Sequence, residues 1–341
     1  MKSTWSFDST TSLAVEHSSG PLTIGGHGQH NFLVTATSEP EFSMSEAEKA
    51  LFRFSGPSTL RVPDGIDITV GEVAGPLTLD GIRANANIGD VRGPTRIADV
   101  EGSLACTGSL FGPVRIGDAG KVSLHRRLGP LSASDIGSIE LNESSGPVRV
   151  RRCSGSLHAT SVVGSGTFSD ISGNVQVDWL AENLRLTGLL HGQNVWRATV
   201  QGSATISLDK GSSANIKLIT KSGDIATKGL ELDNSVHNDG LFKATIGDGE
   251  ATLEIEADGD IVLRQDTGLP EGDFGLPFST EEIGEGVENM VGALESGIRN
   301  LGEEVSQSLR LEEDIRDLGG RIRERVQRDV DRFMKRQGRR V

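Results

Sequence analysis

Apolar residues recur in this chain at fixed distances from a series of glycines. Two, four and seven positions after Gly75 stand Leu77, Leu79 and Ile82. Gly93 leads to Thr95, Ile97 and Val100, and Gly112 to Val114, Ile116 and Ala119. Gly129 leads to Leu131, Ala133 and Ile136, and Gly146 to Val148, Val150 and Cys153. Residues two apart share one face of a strand, because strand side chains alternate with period two. The third apolar residue follows a corner. Further alternating groups predict a second strand in each unit: Ala84, Ala86 and Ile88; Val122 and Leu124; Ile139 and Leu141.

Six of the glycines precede proline, at Gly56-Pro57, Gly75-Pro76, Gly93-Pro94, Gly112-Pro113, Gly129-Pro130 and Gly146-Pro147, with spacings of 19, 18, 19, 17 and 17 residues. Gly20-Pro21 lies upstream. A fixed period of this length means one small unit stacked on itself. Two or three short strands with tight turns fit one coil, with neighbouring coils about 4.8 Å apart. Glycine suits the corner because it adopts unusual φ. Proline suits it because its φ is preset and it needs no ladder donor there. The alternative is an antiparallel β-sandwich, but sandwiches do not repeat one template in register. The reading is an all-β parallel β-solenoid, or β-helix, of about ten coils of 17–21 residues over residues 1–265.

The template loosens along the chain. Gly164 leads to Phe168 and Ile171, Glu182 to Leu184, Leu186 and Leu189, and Gly223 to Ile225, Thr227 and Leu230. Gly202 keeps only Ala204 and Ile206, and Gly56 only Leu60. The N-terminal and middle coils are therefore expected to be the most uniform. Residues 1–55 are expected to open and cap the solenoid, since an open end exposes backbone and apolar side chains. Strands are expected at Leu13-Ala14-Val15, Leu22-Thr23-Ile24 and Phe32-Leu33-Val34-Thr35-Ala36. The capping box Ser45-Glu46-Ala47-Glu48 predicts a short helix through Phe52.

Residues 266–280 hold Gly268, Pro270, Gly272, Gly275 and Pro277 and read as a linker. Residues 281–338 follow as an amphipathic helical tail. Its apolar seam runs through Ile283, Val287, Leu294, Ile298, Leu301 and Val305, then through Ile322, Val326, Val330 and Phe333. These three- and four-residue steps predict a C-terminal α-helical hairpin or coiled coil, broken at Gly319-Gly320. At ~1.5 Å per residue the first helix reaches roughly 57 Å. Its many glycines each cost about 1 kcal/mol, so it is expected to form on packing or assembly.

Charge divides at the same break. Residues 266–317 carry 14 acidic and 3 basic side chains, whereas 318–341 carry 3 acidic and 9 basic, among them Arg321, Arg325, Arg328 and Arg332. The whole chain has a net charge of −14. The basic segment can fold back on the acidic one, pair with another copy, or meet an anionic membrane surface through residues 321–340. Nucleic acid is not expected, because Phe333 is the one aromatic residue there available for base stacking.

Composition fits a thin interior: 44 Gly, 3 Trp and no Tyr. Cys106 and Cys153 are expected to be buried free thiols rather than a disulfide. No stretch of about 20 apolar residues occurs, and Met1-Lys2-Ser3-Thr4-Trp5 lacks an apolar signal core. The expected location is the cytoplasm. Catalytic signatures such as G-x-S-x-G, a P-loop, H-E-x-x-H or C-x-x-C do not occur. His27 and His30 could share a metal, but they sit on a glycine loop with no third ligand nearby. Neither a cofactor nor a metal is expected, and the chain is not expected to be an enzyme.

The stretch His17-Ser18-Ser19-Gly20-Pro21-Leu22-Thr23-Ile24, the entry Leu60-Arg61-Val62-Pro63-Asp64-Gly65 and the following Gly-Pro coils resemble a bacterial family, the putative-adhesin domain of unknown function. The resemblance covers residues 10–265 and implies a β-solenoid, with no catalytic residues to carry over. The short coils also look like those of bactofilins, an architectural analogy. The expected function is a non-catalytic scaffold or self-assembling protein, with the solenoid as body and the tail as oligomerisation element. An envelope- or membrane-associated adhesin-like module using the basic helix is the alternative. A glycan-active β-helix enzyme is the third reading.

Overall fold

The strands of the stacked coils alternate inward apolar with outward polar residues, and the stack buries one face of nearly all of them. The computed structural model describes residues 2–6, 12–29, 31–44 and 49–266. Within these the chain is all β, with 27 strands in one largely parallel sheet system. The predicted linker and tail lie outside the described residues.

The middle coils follow the glycine offsets residue by residue. Leu77 pairs with Thr95, Thr95 with Val114, Val114 with Leu131 and Leu131 with Val148, one above another. The columns that begin at Leu79 and Ile82 run the same way, and nearly all their members are almost fully buried. A buried Leu, Ile or Val side chain contributes about 1.5–3 kcal/mol, so the columns form the core. Cys153 occupies the offset-seven column and Cys106 lies between Ile88 and Leu124. Both are buried free thiols. Burial pushes the Cys106 thiol up to about 12, which makes it inert at neutral pH.

At the corner, the proline carbonyl keeps its place in the ladder while its missing N–H is not needed. Leu77 N donates to Pro94 O at 3.0 Å, Thr95 N to Pro113 O at 2.9 Å and Val114 N to Pro130 O at 2.9 Å. Where the prolines end, Ser165 and Asn183 supply the same carbonyl to Val148 N and Gly166 N. The glycine before the proline is required by space at Gly20, Gly75, Gly93, Gly129 and Gly146, where an added Cβ would meet backbone of the neighbouring rung at 2.6–2.8 Å. A Cβ on Gly129, at φ +127°, would lie 2.6 Å from the Gly112 oxygen.

Twelve two-strand rungs stack, two more than the glycine period indicates, over about 55 Å at ~4.8 Å each. Their order departs from chain order at both ends. Lys49–Phe54 lies outside Ser12–Ser18, which itself lies against Asp67–Val73. The first coil in sequence is thus second in space. At the other end Ala251–Ala257 inserts between Val195–Val200 and Ala214–Thr220. The last coil in sequence is second to last in space.

Antiparallel strands then cover the N-terminal end and, at the other end, the Ala214–Thr220 edge. Asn31–Ala36 pairs with Ser58–Pro63, Lys2–Ser6 with Asn31–Ala36, and Glu41–Met44 with Lys49–Phe54. At the far end Leu241–Ile246 pairs with Ala214–Thr220 and Asp233–Asn238 with Leu241–Ile246. Irregularity therefore occurs at both ends, not only towards the linker.

Three local expectations are corrected. The predicted helix through Phe52 is a strand from Lys49 onward, because Ala50, Phe52 and Phe54 alternate inward with period two. Phe52 packs between Phe42 and Phe54, with ring centroids 5.1 and 5.8 Å away. Leu189 is exposed, and Leu190 takes the inward place, because the corner at Gly188 is one residue longer than that at Asp170. Thr227 is exposed in the outermost parallel rung.

The corner packing predicts that Gly129→Ala destabilises the protein by about 3 kcal/mol, through both collision and a left-handed φ. Urea unfolding measures this, and a loss below about 1 kcal/mol would show that the corner relaxes freely.

Candidate functional site

One inward column changes character in the middle of the stack. Two positions before each corner glycine the chain places Val73, Val91, Leu110, Arg127, Ser144 and Val162. Leu110 pairs with Arg127, Arg127 with Ser144 and Ser144 with Val162, so a guanidinium and a hydroxyl sit where their neighbours are aliphatic. Arg127 is only 1% exposed. Its Nη2 donates to Ser144 Oγ and, at 3.4 Å, to the Gly146 carbonyl. Its Nε and Nη1 are buried without an acceptor. Among the described residues no carboxylate pairs with it. Burial pushes the guanidinium down to about 10, from an ordinary 12.5. A buried cation without a counter-charge is costly, so this position opposes folding.

Arg127 lines a surface cavity of about 380 Å³. Ser144, Ser145, Thr160 and Ser161 add hydroxyls to its wall, and Asn142 adds an amide. Arg126 and Glu143 stand in register on one side, 3.7 Å apart, and offset each other's charge. Leu128 and Val163 supply apolar surface, and Val163 is 52% exposed. Leu128, Ser145 and Val163 form one column with exposed Phe111, so an apolar strip runs beside a polar pocket. The cavity's charged side chains sum to one positive charge: Arg126 and Arg127 against Glu143.

A second ladder follows the opposite corner. Asp99, Asp118, Asp135, Arg152 and Asp170 all have φ between +50° and +58°. Asp tolerates this left-handed region better than most residues, which accounts for its recurrence six positions after the corner glycine. Arg152 is held by Asp135, with bonds of 2.5 and 2.6 Å from Nε and Nη2. The Arg152 guanidinium holds the Asp135 carboxyl below its ordinary range. These carboxylates shape the corner. No group of three His, Cys, Asp or Glu among the described residues is placed to hold a metal. His27 Nε2 is buried without a partner, and His30 lies outside the described residues.

The tail residues singled out in the sequence, Ile283 to Phe333 and the arginines from Arg321 to Arg332, lie outside the described residues. The Arg127 pocket was not among the expected sites. Its signal is present in the sequence: an arginine and then a serine interrupt a column that is otherwise aliphatic through the middle rungs.

No family model matches the chain, and no curated protein matches it. A crystal structure described as a putative cell adhesion protein from Clostridium sporogenes ATCC 15579 is similar over 78% of this chain and 99% of that one. The two share 12% identity with a TM-score of 0.18, too low for the likeness to carry weight.

Burial of Arg127 predicts that Arg127→Leu, the residue found one rung away, stabilises the protein by about 2–3 kcal/mol at neutral pH. The folded-state pKa lies below the unfolded one. The penalty is therefore complete below pH 10 and shrinks as pH rises through that value. Unfolding both proteins from pH 8 to 11 tests this. A variant less stable than wild type by 1 kcal/mol would instead make Arg127 a structural support.

Proposed function

We propose that this chain is a non-catalytic scaffold, in which a finite, rigid solenoid is joined to a helical tail that brings copies together. The observation that carries this reading is the finish of both ends. Open parallel edges invite further strands, and proteins blunt them with short or polar antiparallel strands. Here Asp233–Asn238 is exposed along its whole length, and Glu41–Met44 is four residues long. Association through the ends of the stack is thereby disfavoured. It falls instead to the seam from Ile283 to Val305 and from Ile322 to Phe333, with Arg321, Arg325, Arg328 and Arg332 meeting acidic residues of the same tail or of another copy.

The coil design supports a non-enzymatic role. Corners of a few residues leave little loop from which to build a catalytic cleft. Two carboxylates on the faces and corners, Asp135 and Glu254, are held low by hydrogen bonds from basic partners and act as ion-pair members. A second reading, attachment to an anionic membrane surface through residues 321–340, rests on the 9 basic and 3 acidic residues of that end.

Light scattering and negative-stain microscopy on the full chain and on residues 1–266 test the scaffold reading. The full chain should be a discrete oligomer and the fragment a folded monomer, with filaments in neither. Filaments of the fragment, or equal association of both, would overturn it. Pelleting with anionic liposomes at low salt, lost on deletion of residues 321–341, would favour the second reading.

A further inference from the structure

We propose that the face bearing Arg96, Arg115, Arg149 and Arg151 binds a linear acidic polysaccharide laid along the axis of the stack. The chain carries a net charge of −14, yet this face is basic. Three positions after the corner, the register aligns Arg96, Arg115, Ser132, Arg149, Thr167 and Arg185 in consecutive rungs. Five positions after it stand Ala98, Gly117, Ser134, Arg151, Ser169 and Thr187. None of these twelve residues is buried, five are arginines and none is a carboxylate. At ~4.8 Å per rung the stripe is roughly 24 Å long. Among the described residues Arg96, Arg115, Arg149 and Arg151 form no ion pair. Their planar guanidiniums suit two-point hydrogen bonding to a carboxylate.

The order along the first column points to a sugar polymer. Guanidinium and hydroxyl alternate from Arg115 through Ser132, Arg149 and Thr167 to Arg185, so charges recur at every second rung, about 9.6 Å apart. In an extended polysaccharide whose rings turn over at each linkage, alternate rings present the same side. A uronate chain of this kind turns a carboxylate to one surface at every second ring, a repeat of comparable length. The serine or threonine between two arginines can donate to and accept from the hydroxyls of the intervening ring.

The borders of the stripe fit the same ligand. Pro94, Pro113, Pro130 and Pro147 stand exposed on one side and offer apolar surface to the C–H faces of sugar rings. On the other side lie the corner carboxylates Asp99, Asp118, Asp135 and Asp170, of which Arg83 and Arg152 pair with Asp99 and Asp135. A polyanion is therefore directed to the arginine column and the prolines. Neither column holds an aromatic residue on which nucleic-acid bases could stack. Neither holds a large apolar side chain with which to enter a membrane interface.

Calorimetric titration of the full chain with sodium polymannuronate at constant low ionic strength tests the proposal. Polymannuronate should bind at least tenfold more tightly than poly(dT) or than poly-L-glutamate, which carries carboxylates without sugar hydroxyls. Dextran should not bind. Arg115→Ser with Arg149→Ser should lose at least tenfold in affinity at an unchanged melting temperature, because Ser132 already occupies this column. Arg115→Lys with Arg149→Lys, which keeps the charge and loses the fork, should weaken binding severalfold. Arg126→Ser with Arg197→Ser, an equal loss of charge on the other strand row, should leave affinity within twofold, as should deletion of residues 321–341. No binding of polymannuronate, equal binding of dextran, equal or tighter binding of poly-L-glutamate or poly(dT), unchanged affinity in either Arg115 and Arg149 pair, or loss of binding in the control pair or the deletion would each overturn it. Pelleting with phosphatidylglycerol vesicles that is lost in the Arg115→Ser and Arg149→Ser pair would also overturn it, and would assign the face to a membrane.

Discussion

A methyl group added at Gly129 would sit 2.6 Å from the oxygen of Gly112 in the neighbouring rung, and one added at Gly146 would sit 2.8 Å from the oxygen of Gly129. Backbone thus meets backbone at this corner with no space for a side chain. The bare glycine lets the corner close to the hydrogen-bonding spacing on which the rest depends. It keeps the proline carbonyls in line to accept hydrogen bonds from the next rung. It also brings the inward columns into van der Waals register, so that a thin apolar interior can be continuous with few large aromatic residues. Stacking of this kind makes stability depend on nearest neighbours, and each end becomes a separate problem.

The ends solve it in the same way. In each, the outermost coil is not the terminal one in sequence, and antiparallel strands cover the exposed edge, along both strands at the N-terminal end and along Ala214–Thr220 at the other. A terminal coil held between two others has both of its backbone edges paired. An outermost coil would have one edge open, so the exchange moves the weaker position to a segment tethered on both sides. Most of both end edges is thereby paired, which disfavours further rungs at either end.

Much of the middle of the fold was legible in the sequence. From Gly75 to Cys153 the offsets of two, four and seven name the inward residues correctly, because every rung repeats one set of steric conditions. The ends were not legible. A period states that coils stack and leaves open which coil stacks on which, so the exchange of neighbours leaves no trace in spacing. The local signal at Ser45-Glu46-Ala47-Glu48 favoured a helix through Phe52, yet the alternation of Ala50, Phe52 and Phe54 makes Lys49–Phe54 a strand because its apolar face could be buried. The pocket was hidden for a different reason. Arg127 and Ser144 depart from the template at single positions, and a search for shared features passes over such departures. Read as exceptions to the column, they mark the place where the uniform stack holds a charge it does not need for folding.

The exchanged strand order at the C-terminal end is the most direct point of attack on this account. Thr199 and Ile219 both stand in register with Glu256, from opposite sides. Register neighbours are about 4.8 Å apart, whereas Thr199 and Ile219 are separated by a full rung between them, roughly twice that. Disulfides require Cα atoms closer than about 7 Å. Oxidation of paired cysteine variants, read by mass spectrometry, therefore decides the order. The account predicts that Thr199→Cys with Glu256→Cys closes readily and that Thr199→Cys with Ile219→Cys stays open. Closure of the second pair and not the first would mean that the coils stack in chain order, and the exchange of the end coils would be contradicted.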